Sequence, residues 1–157
     1  MKLKVIYFSA LFLLMLITGV LWGTWFTLTR SLETFSLEEF IHIGKVIIAN
    51  VAFPMPIIMP LGILFMILSL WYNPYRKTTG FYLGVVSLGF IILTLLITLL
   101  VLVPIDNEIK KWTVLTALPE WEYLRDKWKV FHAIRTLTSV IGFDCFSGFI
   151  LSHTDKK

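Results

Sequence analysis

The stretch FYLGVVSLGFIILTLLITLLVLV, residues 81–103, has no charged side chain at any of its 23 positions. An uncharged apolar run of about 18 or more residues predicts a transmembrane helix, because it is long enough to cross the hydrocarbon core. Two further runs pass the same test, and a fourth, at residues 130–152, is interrupted only by His132, Arg135 and Asp144. Lipid offers the backbone no hydrogen-bond partners, so helices are the expected structure. We predict an all-α integral membrane four-helix bundle in a single domain, residues 1–157, with spans at about residues 5–28, 42–72, 81–103 and 130–152.

The composition supports this class of protein. Hydrophobic residues make up 57% of the chain and charged residues only 15%, whereas a soluble domain has about 25% charged residues. The net charge of +4 comes from basic residues spread over loops and termini, which fits anionic lipid. No basic stripe with interleaved aromatic residues of the nucleic-acid-binding kind is present. The expected partners are the lipid bilayer and a hydrophobic small molecule, with no nucleic acid, and a homo-oligomer is left open.

The orientation follows from the charge of the segments outside the spans. The first apolar run, after MKLK, is too long for a signal peptide and lacks a small-residue cleavage site, so we predict a retained helix. One side of the membrane would carry nearly acid-free basic segments, which marks it as cytoplasmic. Those basic residues are Lys2, Lys4, Arg76, Lys77, Lys156 and Lys157, with Asp155 as the one acid. We predict a multi-pass protein of the cell inner membrane with both termini in the cytoplasm.

Local sequence signals predict where helices begin and where the second span bends. Ser36 and Glu39 in SLEE form a capping box that predicts a helix start near Leu37. The second span contains three prolines, which predict a kink whose freed carbonyls face protein or a wet cavity. Residues 104–119 are predicted to be a long outer loop. The fourth helix is predicted to begin near Pro119, outside the lipid.

A polar stripe runs along the fourth helix at spacings of 4, 3, 4, 3 and 4. Its members are Trp121, Arg125, Trp128, His132, Arg135 and Ser139. This spacing places all six on one helical face. Charged groups inside a membrane are costly unless they face partners or a cavity, so the stripe predicts a polar pocket at the outer end of the bundle. The alternatives are an interfacial belt formed by the first three residues and a purely structural polar cluster.

Other polar and aromatic residues of the predicted outer end would converge on the same pocket. They are Asn50, His42, Trp22, Trp25, Asn107 and Trp112. Asp144 faces away from Arg135 and is predicted to pair with Arg76 or Lys77, with a proton relay as the alternative. Cys145 is the only cysteine, so no disulfide framework exists within the chain.

Metal and nucleophile motifs are weak in this sequence. His42 and His132, at similar predicted depth, are the residues that a haem-binding bundle would use as axial ligands. Glu39 and His42 form one Glu-x-x-His step, whereas a di-iron bundle needs two such steps and two further carboxylates. No phosphate-binding glycine loop or Gly-x-Ser-x-Gly elbow is present. We predict no metal and no cofactor, with haem as the alternative.

Two segments resemble the anthrone oxygenase-like family of small four-span membrane proteins, many of them of unknown function. They read VPIDNEIKKW, at residues 103–112, and LPEWEYLRDKWKVFHAIRT, at residues 118–136. The family pattern is matched at Pro104, Asn107, Trp112, Pro119, Trp121, Leu124, Arg125, Trp128, His132, Arg135 and Thr136. Many members carry asparagine just before the loop proline, where this chain has Val103, which lacks the polar contact of an amide.

The resemblance implies a cofactor-independent monooxygenase that oxidises anthrones, or a related hydrophobic aromatic such as a quinol, with dioxygen. His132 would be the base. Arg135 and Arg125 would hold the oxyanion, assisted by Asn107 or Asn50. Trp112, Trp121 and Trp128 would form flat walls for the substrate, with Trp25 as a further binding residue. The alternative is a non-catalytic lipophile-binding or accessory membrane protein.

Overall fold

The computed structural model describes the backbone of residues 2–154 and the side chains of residues 3–152. Within these residues the chain is helical throughout its regular structure and contains no strand, which confirms the predicted all-α class. The helices are α1 (Lys2–Thr27), α2 (Leu37–Ala52), α3 (Met55–Trp71), α4 (Thr79–Ile97), α5 (Val103–Lys111) and α6 (Trp121–Thr154). A 3₁₀ turn (Thr29–Thr34) follows α1, and a π-helical turn (Thr98–Leu102) joins α4 to α5.

Several of these helices are long and apolar enough to cross a membrane. Three continuous stretches qualify: Leu3–Thr34, Thr79–Lys111 and Trp121–Ser152. A fourth crossing exists if α2 and α3, which are bent by 48° at their break, form one span. The chain therefore has the features of a multi-pass membrane protein. The orientation stays a prediction, because the side chains of Lys2, Asp155, Lys156 and Lys157 lie outside the described residues.

The start of α2 and its break from α3 follow the predicted local signals. Ser36 Oγ accepts a hydrogen bond from the Glu39 backbone N–H at 3.4 Å, and the Glu39 carboxylate accepts from the Ser36 N–H at 2.8 Å. The capping box and the helix start at Leu37 are thus confirmed. The break falls at Phe53 and Pro54, because a proline has no N–H to donate to the helical ladder. The predicted kink in this span is therefore also confirmed.

The predicted outer loop at residues 104–119 is too long. Pro104 does not end the helix: the N–H of Val103 bonds to the Thr98 carbonyl, one residue farther back than in an α-helix. This π turn absorbs the clash between the proline ring and the preceding turn. Helix α5 then continues to Lys111, and the connection to α6 is residues 112–120.

The helices pack into a bundle in which α1 and α4 each contact both α3 and α6. We call the end that holds residues 28–36 and 112–120 the outer end. Buried aliphatic and aromatic residues such as Leu14, Met66 and Phe149 fill the inner half. Hydroxyl groups link α6 to its neighbours: Ser87 Oγ donates to the Gly142 carbonyl at 2.6 Å. Such interhelical bonds add about 0.6 kcal/mol each on average. Close packing of the helices therefore contributes most of the free energy of their association.

The contact of α4 with α6 has no room for a larger residue at Gly142. A Cβ atom there would lie 2.8 Å from Ile91 Cδ1 and 3.4 Å from Phe90 Cβ. We expect Gly142→Leu to destabilise the protein by roughly 1–3 kcal/mol through overpacking, measured as a lower melting temperature in detergent. Gly19→Leu is the matched control, because no other atom lies within 4 Å of a Cβ at that position. Equal melting temperatures for the two variants would contradict this account of the interface.

Candidate functional site

A cavity of about 470 Å³ lies inside the bundle, beside the α2–α3 break and the π turn. Its walls are mostly apolar and come from all six helices, for example Ile48 from α2, Met59 from α3 and Leu95 from α4. The two irregular places in the helices therefore border the same space. This arrangement suits a membrane protein, because non-helical backbone at membrane depth is tolerated where it lines a cavity.

His132 of α6 lines this cavity and is only 1% exposed. The Thr136 hydroxyl lies 2.8 Å from the backbone carbonyl of His132 and 3.3 Å from its Nδ1. A hydroxyl has one hydrogen, and when Thr136 donates it to the nearer carbonyl, Nδ1 is the donor in the second contact and carries the ring proton. Nε2 then bears the lone pair, and among the described residues it has no hydrogen-bond partner. The imidazole is therefore set up as a proton acceptor.

Arg135 lies one turn farther along α6 and lines the same cavity. Its Nη1 donates a hydrogen bond to Thr98 Oγ1 of the π turn at 3.4 Å. Its Nε is buried and has no partner within the described residues. A guanidinium carries five N–H donors, so terminal N–H groups beyond the one bonded to Thr98 remain for an anionic or carbonyl oxygen.

Trp128 completes the wall beside the histidine. Its ring centroid lies 4.9 Å from that of His132, with the planes tilted by 46°. Its indole Nε1 donates a hydrogen bond to Asp106 Oδ1 at 2.9 Å. This bond fixes the orientation of the ring against the imidazole.

Asp106 and Lys110 of α5 are cavity residues that the sequence analysis did not identify. The carboxylate of Asp106 attracts the opposite charge of Arg135. These residues were missed because the segment was predicted to be a loop. Continued as a helix past Pro104, the chain places residues 103, 106, 107 and 110 on one face, and all four line the cavity. Helical periodicity across the proline was the signal that could have found them.

The cavity contains four of the nine predicted site residues: His132, Arg135, Asn107 and Trp128. Arg125 and Trp121, at the outer end of the same stripe, lie outside it. The Arg125 guanidinium bonds to Asp126 at 2.9 Å and lies 5.1 Å from the centre of the Trp121 ring. Trp121 in turn packs on Phe40 of α2 at 5.7 Å. The stripe therefore extends farther along α6 than the cavity does, and its outer members contact each other and α2.

Three other predicted binding residues also lie elsewhere. Trp112 is 3% exposed in the outer apolar core, and its backbone carbonyl accepts a hydrogen bond from Lys45 Nζ at 2.6 Å. Asn50 is exposed on the surface of α2. Trp25 packs against Trp22, with ring centroids 5.2 Å apart. Sequence placed these residues near the outer end, but Asn50 and Trp25 lie on helix faces turned away from the cavity, and Trp112 lies in the connection after α5.

The geometry does not form the bis-histidine haem site considered from sequence. His42 lines a separate surface pocket together with Lys45 and Trp112, whereas His132 faces the central cavity. Within the described residues no group of three histidine, cysteine or acidic side chains is placed to hold a metal ion.

The predicted ion pair of Asp144 is also not formed. Asp144 is exposed and has no basic partner in the part of the chain that the structure describes. Arg76 instead donates a hydrogen bond to the Trp71 carbonyl at 2.9 Å and lies over the Trp71 ring.

Comparison with known proteins gives one match. The family model described as anthrone oxygenase matches residues 46–145, which include Asp106, Trp128, His132 and Arg135. No curated protein and no solved structure matches the chain significantly. The matched segment covers more than half of the 157 residues. The chain therefore belongs to the anthrone oxygenase family.

Proposed function

We propose that this protein is a cofactor-independent membrane oxygenase that acts on a hydrophobic aromatic substrate of the anthrone type. The observation that carries the proposal is the convergence of two groups on one apolar cavity: the free Nε2 of His132 and the guanidinium of Arg135. A base and an oxyanion-binding cation are the two groups that favour removal of a proton from a carbon whose carbanion is conjugated with a carbonyl.

The first step is the removal of one proton from the methylene carbon of the anthrone. Nε2 of His132 accepts it, and the electron pair of the C–H bond delocalises through the ring onto the carbonyl oxygen. The Arg135 N–H groups stabilise the oxyanion that forms. Because the cavity is largely apolar, this charge–charge attraction is stronger than it would be in water.

The second step is the reaction of the anion with dioxygen. The carbanion carbon is oxidised and dioxygen is reduced, and the product, after return of the proton from His132, is a hydroperoxide. Loss of the second methylene hydrogen together with cleavage of the O–O bond gives the new carbonyl and one water. One anthrone and one dioxygen thus yield one anthraquinone and one water.

The cavity suits a flat, tricyclic molecule. Its volume of about 470 Å³ falls within the range of roughly 300–1,000 Å³ typical of small-molecule sites. Trp128 supplies a flat aromatic wall next to the base, and Met59 and Pro56 line the apolar part. In the predicted orientation, the polar outer end of the cavity faces away from the cytoplasm.

The second candidate is a non-catalytic protein that binds a lipophile. The mostly apolar lining of the cavity favours binding of an apolar molecule, whether or not chemistry follows. The two candidates make the same prediction for binding and opposite predictions for oxygen consumption.

The test is oxygen uptake by the purified protein in lipid nanodiscs supplied with anthrone. We expect anthraquinone to form and oxygen to be consumed in equal amounts. The rate should exceed that of spontaneous oxidation in empty nanodiscs. In ¹⁸O₂ one labelled atom should enter the anthraquinone and the other the water. A rate equal to background for anthrone and its hydroxylated derivatives would reject the enzyme. If anthrone still quenched the tryptophan fluorescence, the lipophile-binding candidate would take its place.

A further inference from the structure

The wall of the cavity includes residues that are also exposed on the outside of the bundle. Two of them are Leu99, within the π turn and 53% exposed, and Val103, directly after it and 36% exposed. Two others, Ala52 and Pro56, flank the break between α2 and α3 and are likewise exposed. All four are apolar. The cavity is thus bordered by exposed apolar residues from both irregular segments.

The helices pack closely on both sides of these four exposed residues, toward the outer end and toward the inner end. Toward the outer end, α2 packs on α5, where Gly44 meets Ile109. Toward the inner end, α3 packs on α4, where Leu70 lies against Gly84. Between the two contacts, the 48° bend prevents α2 and α3 from following α4 and α5 as one straight helix. A gap between two packed regions is the expected result.

We infer that this gap is a lateral window through which the substrate enters from the hydrocarbon of the bilayer. The inference rests on the proposed function and names the substrate class: aromatic lipophiles dissolved in the membrane. Both edges of the window belong to segments long and apolar enough to span a membrane, so the opening faces lipid. An uncharged tricyclic molecule partitions into the same hydrocarbon, because burial of its apolar surface is favourable.

The competing route is the polar edge of the cavity, at Asn107 and Lys110. Both residues are exposed and line the cavity at its outer end. A route through this edge would take substrate from water, and it would favour charged or strongly polar molecules. The apolar lining of the cavity itself favours the window.

The experiment compares substitutions at the two edges in nanodiscs. Anthraquinone is the binding probe, followed by quenching of tryptophan fluorescence in stopped flow, and anthrone is the substrate. We expect Ala52→Phe to slow association of anthraquinone about tenfold and, at anthrone concentrations where association limits turnover, to lower kcat/KM for anthrone with it. Val46→Phe is the matched control, since Val46 is an exposed α2 residue that does not line the cavity. It should leave both quantities unchanged.

The outcomes separate the window from the proposed function. An association rate that is unchanged in both Ala52→Phe and Leu99→Phe overturns the window. So does a larger decrease in Asn107→Phe than in either, because the route would then start in water. A wild-type protein that binds anthraquinone but does not oxidise anthrone overturns the proposed function alone, and the association rates still test the window. A wild-type protein that does not bind anthraquinone overturns both. If Ala52→Phe elutes as aggregate, Leu99→Phe provides the same test from the other edge.

Discussion

Replacing His132 by glutamine should lower kcat for anthrone oxidation by roughly 10²–10⁴-fold, the usual contribution of a positioned general base. Glutamine is polar and close to histidine in size, and its amide can still contact the Thr136 hydroxyl. It cannot accept a proton at neutral pH, because an amide is not basic. The expected loss is therefore in kcat, while KM and the affinity for anthraquinone change little. Oxygen uptake and anthraquinone formation in nanodiscs measure the effect.

His42→Gln is the matched control for this variant. His42 is exposed and lines the separate surface pocket, so we expect wild-type turnover. Both variants should elute from size exclusion as the wild type does and melt at similar temperatures. A His132→Gln protein that retains turnover would contradict the assignment of the base. Equal loss in both variants would show that the decrease does not come from the cavity.

Replacing Arg135 by methionine should lower kcat by about 10²–10³-fold, as removal of one oxyanion-binding group does in other enzymes. Methionine keeps most of the length and the apolar character of the arginine stem. It removes the positive charge and every N–H donor, including the one to Thr98. Arg76→Met is the control, because Arg76 contacts Trp71 at the inner end of α3 and does not line the cavity. Turnover assays of the two variants should therefore differ.

The stability of the Arg135 variant separates its catalytic role from its structural one. Arg135→Met removes the charge that faces the Asp106 carboxylate, and a carboxylate without its opposite charge is costly in an apolar setting. We expect a lower melting temperature, restored when Asp106→Asn is added. Asparagine still accepts the indole hydrogen bond of Trp128. If the double variant also recovered turnover, Arg135 would be structural only; we expect turnover to stay low.

Much of the fold follows from local patterns in the sequence. The capping box at Ser36 predicts the helix start at Leu37, and the proline cluster predicts the break near Pro54. Both signals depend on residues within a few positions of one another, so they hold without knowledge of the rest of the chain. The continuation of the helix through Pro104 does not follow in this way. A proline usually ends a helix, and only a π turn at Thr98, packed against α6, accommodates it.

The candidate site, like the fold, could be predicted from the sequence only in part. The 4, 3, 4, 3 spacing was enough to place Trp128, His132 and Arg135 on one face of one helix. It was not enough to tell how far along that face a cavity extends, and Arg125 and Trp121 lie beyond it. Asp106 was missed because its segment was predicted to be a loop, and its contact with Trp128 joins residues 22 positions apart.

Hydrophobic length and helical period are properties of consecutive residues, and they alone predict an all-α chain with apolar spans and a polar stripe on its last helix. Which residues line the cavity depends on neighbouring helices, because it is set by how each helix is rotated and where its backbone is interrupted. Asn50 and Trp25 lie on helices that border the cavity but face away from it, while Asp106 and Lys110 face it. The interruptions at residues 53–54 and 98–102 border one space only because α2 packs on α5 and α3 packs on α4. Straight, close-packed helices would have filled the space beside His132 and Arg135. The two interruptions leave it open.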